Sequence, residues 1–255
     1  MTGFDFITPD WPAPKQVMAL TTTRQTGESL APYQHFNVAL HVGDDELAVT
    51  RNRQQLCNHL EGLTAISWLD QVHSSDIVDA CAAKLVTADA NYSGQSGIAC
   101  AVMTADCLPL LVCDRHGREV AAIHAGWRGL LGGVIENSLA RFNASTDQLM
   151  VWLGPAISQP HFEVGDEVRR AFITASSIEQ RPMVDAAFAP HPQNANKYFA
   201  DLYALARLRL QAIGVSAIYG GEFCTYADTE RFYSYRRDSQ TGRMASLIYL
   251  KSPSY

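Results

Sequence analysis

The most regular hydrophobic pattern lies in the middle of the chain. Three apolar runs of strand length, at residues 98–103, 108–113 and 119–124, are separated by polar turns. Such runs, bounded by turn residues, are typical of strands inside a sheet. Shorter apolar or alternating runs predict further strands at residues 16–23, 65–72, 76–80, 149–153, 217–220 and 245–250.

Apolar positions at helical spacing predict four helices, at residues 46–60, 130–142, 162–175 and 198–213. The first follows acidic residues that suit a helix start. The last has an apolar face made of Phe199, Leu202, Leu205, Ala206 and Leu210. Residues 91–97 are rich in Gly and Ser and predict a turn.

The organisation along the chain is uniform. No internal repeat, low-complexity tract or Pro/Ser-rich linker divides the 255 residues. With strands and helices intermingled, we expect residues 1–255 to form one mixed α/β domain.

Composition and charge narrow the possible functions. A hydrophobic content of 47% with 18% charged residues is typical of a globular protein that can build a full core. The net charge of −6 argues against non-specific binding to nucleic acid or to an anionic membrane. Residues 1–15 carry two Asp and three Pro and no long apolar run, so we expect neither a secretory signal nor a membrane span, and a cytoplasmic location.

The six cysteines include no CxxC pair and no dense pattern, which indicates reduced thiols. One of them, Cys107, has the most informative surroundings. It follows Asp106 between two of the central strands, while His124 closes the third strand and His73 lies at the end of another. A thiol and imidazoles at neighbouring strand ends can bind one metal ion or act as nucleophile and base.

Two interpretations of these residues stay open on spacing alone. In the first, His73, Cys107 and His124 bind a catalytic zinc ion and leave the fourth tetrahedral position for water or substrate. In the second, Cys107 is a nucleophile, His124 is its base, and Asp106 or a backbone group orients the pair.

Several common enzyme classes lack their sequence signatures in this chain. It contains no HExxH, no HxE with PCxxC, no GxGxxG and no Walker A loop. A multicopper laccase needs many histidines, commonly in HxH pairs, and the eight histidines here include no such pair. Weak phenol oxidation, if present, is best attributed to adventitious copper at an N/S site.

Seven short motifs together resemble the YfiH-like family over about residues 16–250. They are TTR at 22–24, HVGDD at 41–45 with Asn52-Arg53, QVH at 71–73, TADCLP at 104–109, HAGWRG at 124–129, LGPAI at 153–157 and FYSYRRD at 232–238. The chain has Ser74 where relatives often have Gly after QVH, which leaves the histidine intact. The family has been labelled multicopper polyphenol oxidase or laccase-like, and its members are similar to zinc-dependent purine nucleoside phosphorylases.

The resemblance implies a single-domain α+β fold with mixed sheets packed between helices, similar to that of cysteine-type deamidase toxins. It implies one zinc ion on His73, Cys107 and His124. The implied activity is phosphorolysis of adenosine, inosine, guanosine and 5′-methylthioadenosine, with adenosine deamination as a second reaction. Peptidoglycan editing is also reported for relatives, which keeps a cysteine amidase as the alternative. The implied partners are purine nucleosides and phosphate; the oligomeric state stays undetermined.

Phosphorolysis needs an anion site, because phosphate attacks the anomeric carbon while positive charge develops on the ribose. Guanidiniums suit that task, and the motifs supply Arg24, Arg128 and Arg236 as candidates. Arg128 opens a predicted helix, where backbone amides also favour an anion. Asp106 is expected either to transfer a proton or to orient a ligand.

Overall fold

A computed structural model describes residues 4–252 of the chain. These residues form 16 β-strands. In chain order the strands are β1 (Phe6–Ile7), β2 (Val17–Thr22), β3 (Ala65–Ser67), β4 (Leu69–Asp70), β5 (Ile77–Asp79), β6 (Val86–Thr87), β7 (Ala90–Ser93), β8 (Ile98–Thr104), β9 (Leu108–Asp114), β10 (Val120–Ala125), β11 (Leu149–Leu153), β12 (Glu163–Gly165), β13 (Phe188–Pro190), β14 (Lys197–Ala200), β15 (Ala217–Gly220) and β16 (Met244–Leu250).

The same residues form seven α-helices and three short 3-10 turns. The helices are α1 (Glu46–His59), α2 (Trp127–Gly132), α3 (Val134–Leu139), α4 (Asp166–Ala175), α5 (Arg181–Ala186), α6 (Leu202–Ala212) and α7 (Tyr235–Asp238). The 3-10 turns are Leu40–Val42, Thr146–Gln148 and Gln159–His161. No helix within residues 4–252 combines the length and apolarity needed to cross a bilayer.

Two large mixed sheets pack face to face and carry the helices on their outer faces. The first has the order β1-β2-β16-β8-β3, and the second has the order β15-β11-β9-β10-β7-β5. Helix α1 covers the outer face of the first sheet, and α2 to α6 cover the outer face of the second. The expected single-domain α+β fold, with mixed sheets packed between helices, is confirmed.

Successive side chains of the central strands point to opposite faces of the sheet, and both faces are buried. In β9, Leu108, Leu110 and Val112 face the helical layer, while Leu111 and Cys113 face the other sheet. Because both faces of these strands are covered, neither face needs polar residues. Strands β8, β9 and β10 were predicted from this pattern and are confirmed within one residue at each end.

Two helix predictions started too early. Residues 163–165 and 198–200 lie in the strands β12 and β14, and the helices begin at Asp166 and Leu202. These short strands pair with each other and with β13 in a small antiparallel sheet. Pairing between segments distant in sequence therefore overrode helical periodicity, which propensity alone could not anticipate.

Three further predictions differ from the structure. The helix predicted at 130–142 is two helices, because Gly133 adopts φ +91° between α2 and α3. The strand predicted at 65–72 is divided into β3 and β4. The turn predicted at 91–97 begins too early, since residues 90–93 form β7 and pair with β10. That last correction matters for the site.

Candidate metal centre and active site

Strand register brings Cys107 and His124 together. Strands β9 and β10 are antiparallel, with His124 opposite Pro109 and Ala125 opposite Leu108. Cys107 immediately precedes β9, so the thiol lies beside the end of β10 that carries His124. Residues 105–107 connect a strand of the first sheet to a strand of the second, which places the pair at the junction between the sheets.

His73 reaches the same place through a turn held by Asp89. The Asp89 carboxylate accepts hydrogen bonds from the backbone N–H groups of Val72 at 3.2 Å, His73 at 3.0 Å and Ser74 at 2.6 Å. These three bonds compensate the left-handed conformation of His73, whose φ is +63°. The side-chain amide of Gln71 also bonds to both backbone groups of Met103, which ties the turn to β8.

Asp89 also orients His124. Its Oδ1 lies 2.7 Å from His124 Nδ1, and both side chains are buried. The backbone strengthens the pairing, because the His124 N–H donates to the Asp89 carbonyl at 2.7 Å. With Nδ1 engaged, Nε2 is the nitrogen left to bind a ligand, as in metal sites where a carboxylate holds a histidine.

The three predicted ligands form one cluster. One donor atom from each of His73, Cys107 and His124 lies within 4.8 Å of the others, and Cys107 Sγ is 3.7 Å from His73 Nε2. The two imidazole planes are tilted by 73°. A β-carbon on Gly126 would lie 2.8 Å from His73 Cδ2 and 3.0 Å from Cys107 Sγ, so the absence of a side chain at residue 126 makes room for the cluster.

The electrostatics of the cluster favour a thiolate. Burial by itself raises the pKa of Cys107, but the adjacent His124 and His73 imidazoles outweigh it and bring the pKa to about 6. Burial opposes the charged form of His124 as well, yet Cys107 and Asp89 raise the pKa of that imidazole to about 9. A thiolate is the form of cysteine that binds a metal or acts as a nucleophile.

The cluster opens into a cavity of about 460 Å³ that is lined without any carboxylate. This volume lies in the range of small-molecule sites, roughly 300–1,000 Å³. The walls include two arginines, Arg128 and Arg243, and a third histidine, His41. Tyr235 and Thr104 also line it. A cationic lining in a chain of net charge −6 is typical of a site for an anionic ligand.

Asp106 lies next to Cys107 in sequence, but its carboxylate is engaged elsewhere. Oδ1 accepts from the Thr225 hydroxyl at 2.6 Å, and Oδ2 accepts from the Ser234 hydroxyl at 3.0 Å and the Arg236 backbone N–H at 2.7 Å. It does not line the cavity. The geometry therefore favours a positioning role, in which Asp106 fixes the segment that carries Tyr235.

The three arginines named from the motifs occupy different surroundings. Only Arg128 lines the cavity, with its guanidinium 4.4 Å from the centre of the Trp127 ring. Arg24 donates to the carbonyl oxygens of Gln34 and Thr229, each at 3.2 Å. Arg236 donates to the Glu163 carbonyl at 2.9 Å. The structure thus brings one of the three to the cluster.

Sequence reasoning missed four residues of the site: His41, Asp89, Thr104 and Arg243. Asp89 precedes a strand that was predicted as a turn, so its position beside His124 was hidden. His41 and Thr104 lie inside the HVGDD and TADCLP motifs, but the motifs alone indicated no role for them. The only sequence signal for Arg243 is its place immediately before the last strand.

Comparison with known proteins supports one family. Residues 18–251 match the family described as multi-copper polyphenol oxidoreductase laccase. The chain is 52% identical over 246 residues to a Pseudomonas aeruginosa protein named purine nucleoside phosphorylase PA4543, covering 96% of this chain and 98% of that protein. It is 47% identical to Escherichia coli purine nucleoside phosphorylase YfiH, with the same two coverages of 96% and 98%.

Solved structures agree over nearly the whole chain. The Neisseria meningitidis protein NMB0706 superposes with a TM-score of 0.90 at 48% identity, covering 97% of this chain and 99% of that one. YlmD from Geobacillus stearothermophilus also gives a TM-score of 0.90, at 28% identity and coverages of 99% and 98%. The chain therefore belongs to the multi-copper polyphenol oxidoreductase laccase family, in the YfiH-like group that its motifs indicated.

Proposed function

We propose that this protein is a zinc-dependent purine nucleoside phosphorylase. The observation that carries the proposal is the meeting of His73, Cys107 and His124 at one end of a cavity whose lining has cations and no carboxylate. The names of the relatives, which call them purine nucleoside phosphorylases, point the same way.

The donor set suits zinc. One thiolate and two imidazole nitrogens match the ligands of catalytic zinc sites, and three protein donors leave one tetrahedral position open. The Asp89 carboxylate on His124 Nδ1 supplies the outer hydrogen bond that such sites usually have. When bound, zinc supplies a Lewis acid next to the substrate.

The residues of the cavity suit the displacement of a purine by phosphate. An oxygen of phosphate forms a bond to the anomeric carbon, the glycosidic C–N bond breaks, and the purine leaves with the bonding electrons and gains a proton. The products are the free base and ribose 1-phosphate. Cationic side chains bind the phosphate, while Tyr235 offers an aromatic face to the nucleoside.

We propose that the substrates are adenosine, inosine, guanosine and 5′-methylthioadenosine, with deamination of adenosine to inosine as a second reaction of the same site. Both reactions place the purine nucleoside beside the cluster, and only phosphorolysis requires an anion. The two reactions are therefore expected to compete for adenosine, and the phosphate concentration is expected to set the ratio of adenine to inosine.

A cysteine hydrolase is the second candidate, and a specific arrangement favours it. Cys107, His124 and Asp89 are ordered as nucleophile, base and orienting acid, and the thiolate is favoured. Such an enzyme could act as an amidase on peptidoglycan precursors. His73 weighs against it, because a triad has no use for a second imidazole 3.7 Å from the thiol sulfur.

A copper polyphenol oxidase has less support despite the family's description. Within residues 4–252, the donor groups form a single three-residue cluster, His73, Cys107 and His124. A multicopper enzyme needs a type 1 copper and a separate three-copper cluster. Copper bound at this N/S site is adventitious in our proposal.

Product analysis with adenosine tests the proposal. Chromatography with increasing inorganic phosphate is expected to show inosine giving way to adenine and ribose 1-phosphate. Protein purified without added metal is expected to contain one zinc per chain, and a strong chelator is expected to abolish both products. A wild type that forms neither adenine nor inosine at any phosphate concentration would refute the nucleoside assignment. Activity that survives the chelator but not iodoacetamide would favour the cysteine hydrolase.

A further inference from the structure

Arg243 borders the cavity of the metal cluster and also a neighbouring one. The second cavity has a volume of about 380 Å³ and shares His41, Tyr235 and Arg243 with the first. These residues come from distant parts of the chain: a 3-10 turn before α1, the helix α7 and the segment before β16. Their convergence is a product of the fold.

The Arg243 guanidinium is held in place without being neutralised. Its Nη1 donates to the carbonyl oxygens of Thr241 at 2.9 Å and Gly242 at 3.0 Å, and its backbone N–H donates to Asn37 Oδ1 at 2.9 Å. Within residues 4–252 it forms no ion pair, and its Nε and Nη2 have no protein acceptor. A half-buried guanidinium with two donor nitrogens free is prepared for a bidentate anion.

Thr104 lines the same cavity as Arg243 and also has a hydrogen-bond donor without a protein partner among residues 4–252. Its hydroxyl is buried, with the residue 2% exposed, and it has no hydrogen-bond partner within the described residues. A buried hydroxyl without a partner is costly and uncommon, so it points to an acceptor supplied by a ligand. Thr241 lines the neighbouring cavity, and its buried hydroxyl also has no partner within the described residues.

Basic side chains line the cavities around Arg243, and the carboxylates that interact electrostatically with Arg243 and His41, Asp106 and Asp70, do not line them. Partial desolvation lowers the pKa of His41, the nearby Arg243 and Arg53 guanidiniums lower it further, and Asp70 opposes them. Arg53 itself makes no ion pair within residues 4–252; it donates to the Val38 carbonyl at 2.7 Å and lies over Trp68. Three basic side chains therefore lie close together, and the two cavities lined by Arg243 and His41 have no carboxylate among the described residues of their walls, which favours binding of a multivalent anion.

We propose that Arg243, with Thr104 and His41, binds the phosphate that attacks the nucleoside. The assignment rests on the proposed function, and it names the residues that recognise the second substrate. A purine nucleoside is uncharged at neutral pH, so it does not account for the cationic wall, whereas inorganic phosphate does. Arg24 and Arg236 donate to backbone carbonyls and do not line the cavity.

A phosphate group can come from inorganic phosphate or from a nucleoside monophosphate, and a binding experiment separates them. Inorganic phosphate and adenosine monophosphate are titrated by calorimetry into zinc-loaded wild type, Arg243→Met and Arg24→Met. We expect Arg243→Met to weaken binding of inorganic phosphate about 10- to 100-fold, the range for a lost charge-assisted hydrogen bond. Arg24→Met is the matched control and is expected to bind as wild type does.

Two further variants guard against a folding defect. Arg243→Lys keeps the positive charge but loses the paired N–H donors of the guanidinium. Thr104→Val keeps the side-chain shape but loses the hydroxyl donor. Both variants are expected to weaken phosphate binding less than Arg243→Met. Their melting temperatures without phosphate are expected to match that of wild type. In steady-state kinetics, each is expected to raise the KM for phosphate more than the KM for adenosine.

The outcomes are distinguishable. Unchanged phosphate binding in Arg243→Met and Arg243→Lys, or an equal loss in Arg24→Met, would overturn the assignment. The assignment would also be overturned if the protein bound adenosine monophosphate through Arg243 but did not bind inorganic phosphate, since the site would then recognise a nucleotide. Arg243-dependent phosphate binding in a wild type that forms no ribose 1-phosphate would support the anion site while refuting the proposed phosphorylase.

Discussion

Two walls of one cavity are built in opposite ways. At the end with the predicted metal ligands, His73 and His124 are held by hydrogen bonds to Asp89, whose carboxylate accepts four of them. At the other wall, Arg243 and Thr104 keep donors that no protein atom within residues 4–252 accepts. Ligands to a metal need a fixed geometry, whereas recognition of a diffusible anion needs unpaired donors.

The buried aspartates Asp89 and Asp106 differ in which groups they bond. Asp89 bonds to a predicted metal ligand, and its pKa, which burial would raise, is lowered to about 2 by His124 and the backbone N–H of Ser74. Asp106 bonds instead to Thr225, Ser234 and the backbone of Arg236. Asp106, which is adjacent to Cys107 in sequence, therefore supports the segment that carries Tyr235. Asp89, which lies 18 residues before Cys107, supports the cluster.

The largest effect is expected from Cys107→Ala. Removing the thiolate leaves two imidazoles, too few to hold zinc in a catalytic site, so the variant is expected to lose its metal and both reactions. Elemental analysis and chromatography of adenosine products measure this. Cys81→Ala, at another half-buried cysteine, is the control and is expected to keep one zinc. An inactive Cys107→Ala that retains its zinc would favour the nucleophile instead.

Asp89→Asn is expected to have the next largest effect. An amide cannot accept from all of the donors that the carboxylate accepts, so the turn of His73 and the ring of His124 lose their support. Loss of such outer partners typically lowers metal affinity about 10- to 100-fold. Competition with a chromogenic chelator measures the affinity. Asp106→Asn is the comparison, and it is expected to lower the melting temperature with a much smaller loss of zinc affinity.

Equal losses of affinity in Asp89→Asn and Asp106→Asn would contradict the difference between the two aspartates. That outcome would mean that the cluster depends on residues 225–236, to which Asp106 bonds, as much as on the turn of His73.

Gly126→Ala is expected to have a moderate effect. The added methyl group must push His73 and Cys107 apart, because its closest atoms would be 2.8 and 3.0 Å away. A strain of about 1–2 kcal/mol corresponds to roughly 5- to 30-fold weaker zinc binding. The same chelator competition measures it. Gly94→Ala is the matched control, since the nearest atom to its added methyl group would be 3.6 Å away.

Arg128→Met is expected to have the smallest effect. Arg128 is exposed whereas Arg243 is half-buried, and exposed charges contribute only about 0.2–1 kcal/mol. The KM for phosphate is expected to rise up to about fivefold, and to rise less as salt increases. Arg115→Met, at an exposed arginine outside the cavity, is the control. A loss as large as that of Arg243→Met would contradict the ranking of the two arginines.

Local pattern was enough to predict the strands that form the core. Strands β8, β9 and β10 are apolar on both faces, which is typical of strands buried inside a protein. No helix among the described residues could span a membrane. Helix α1 was predicted within one residue because Asp45 caps it, accepting the Ala48 N–H at 2.8 Å. The motifs also named the three residues that the fold brings together, which stay a predicted zinc site until metal is measured.

Only the tertiary structure decided which polar groups serve the site. By itself the sequence determined the central strands β8, β9 and β10, the strand ends at which His124 and Cys107 lie, and the family. It could not reveal that Asp89 reaches His124 or that Arg243 faces His41, because these contacts join residues far apart in the chain. Hydrogen-bond partners depend on distances of a few tenths of an ångström, and those distances are set only when the two sheets pack together.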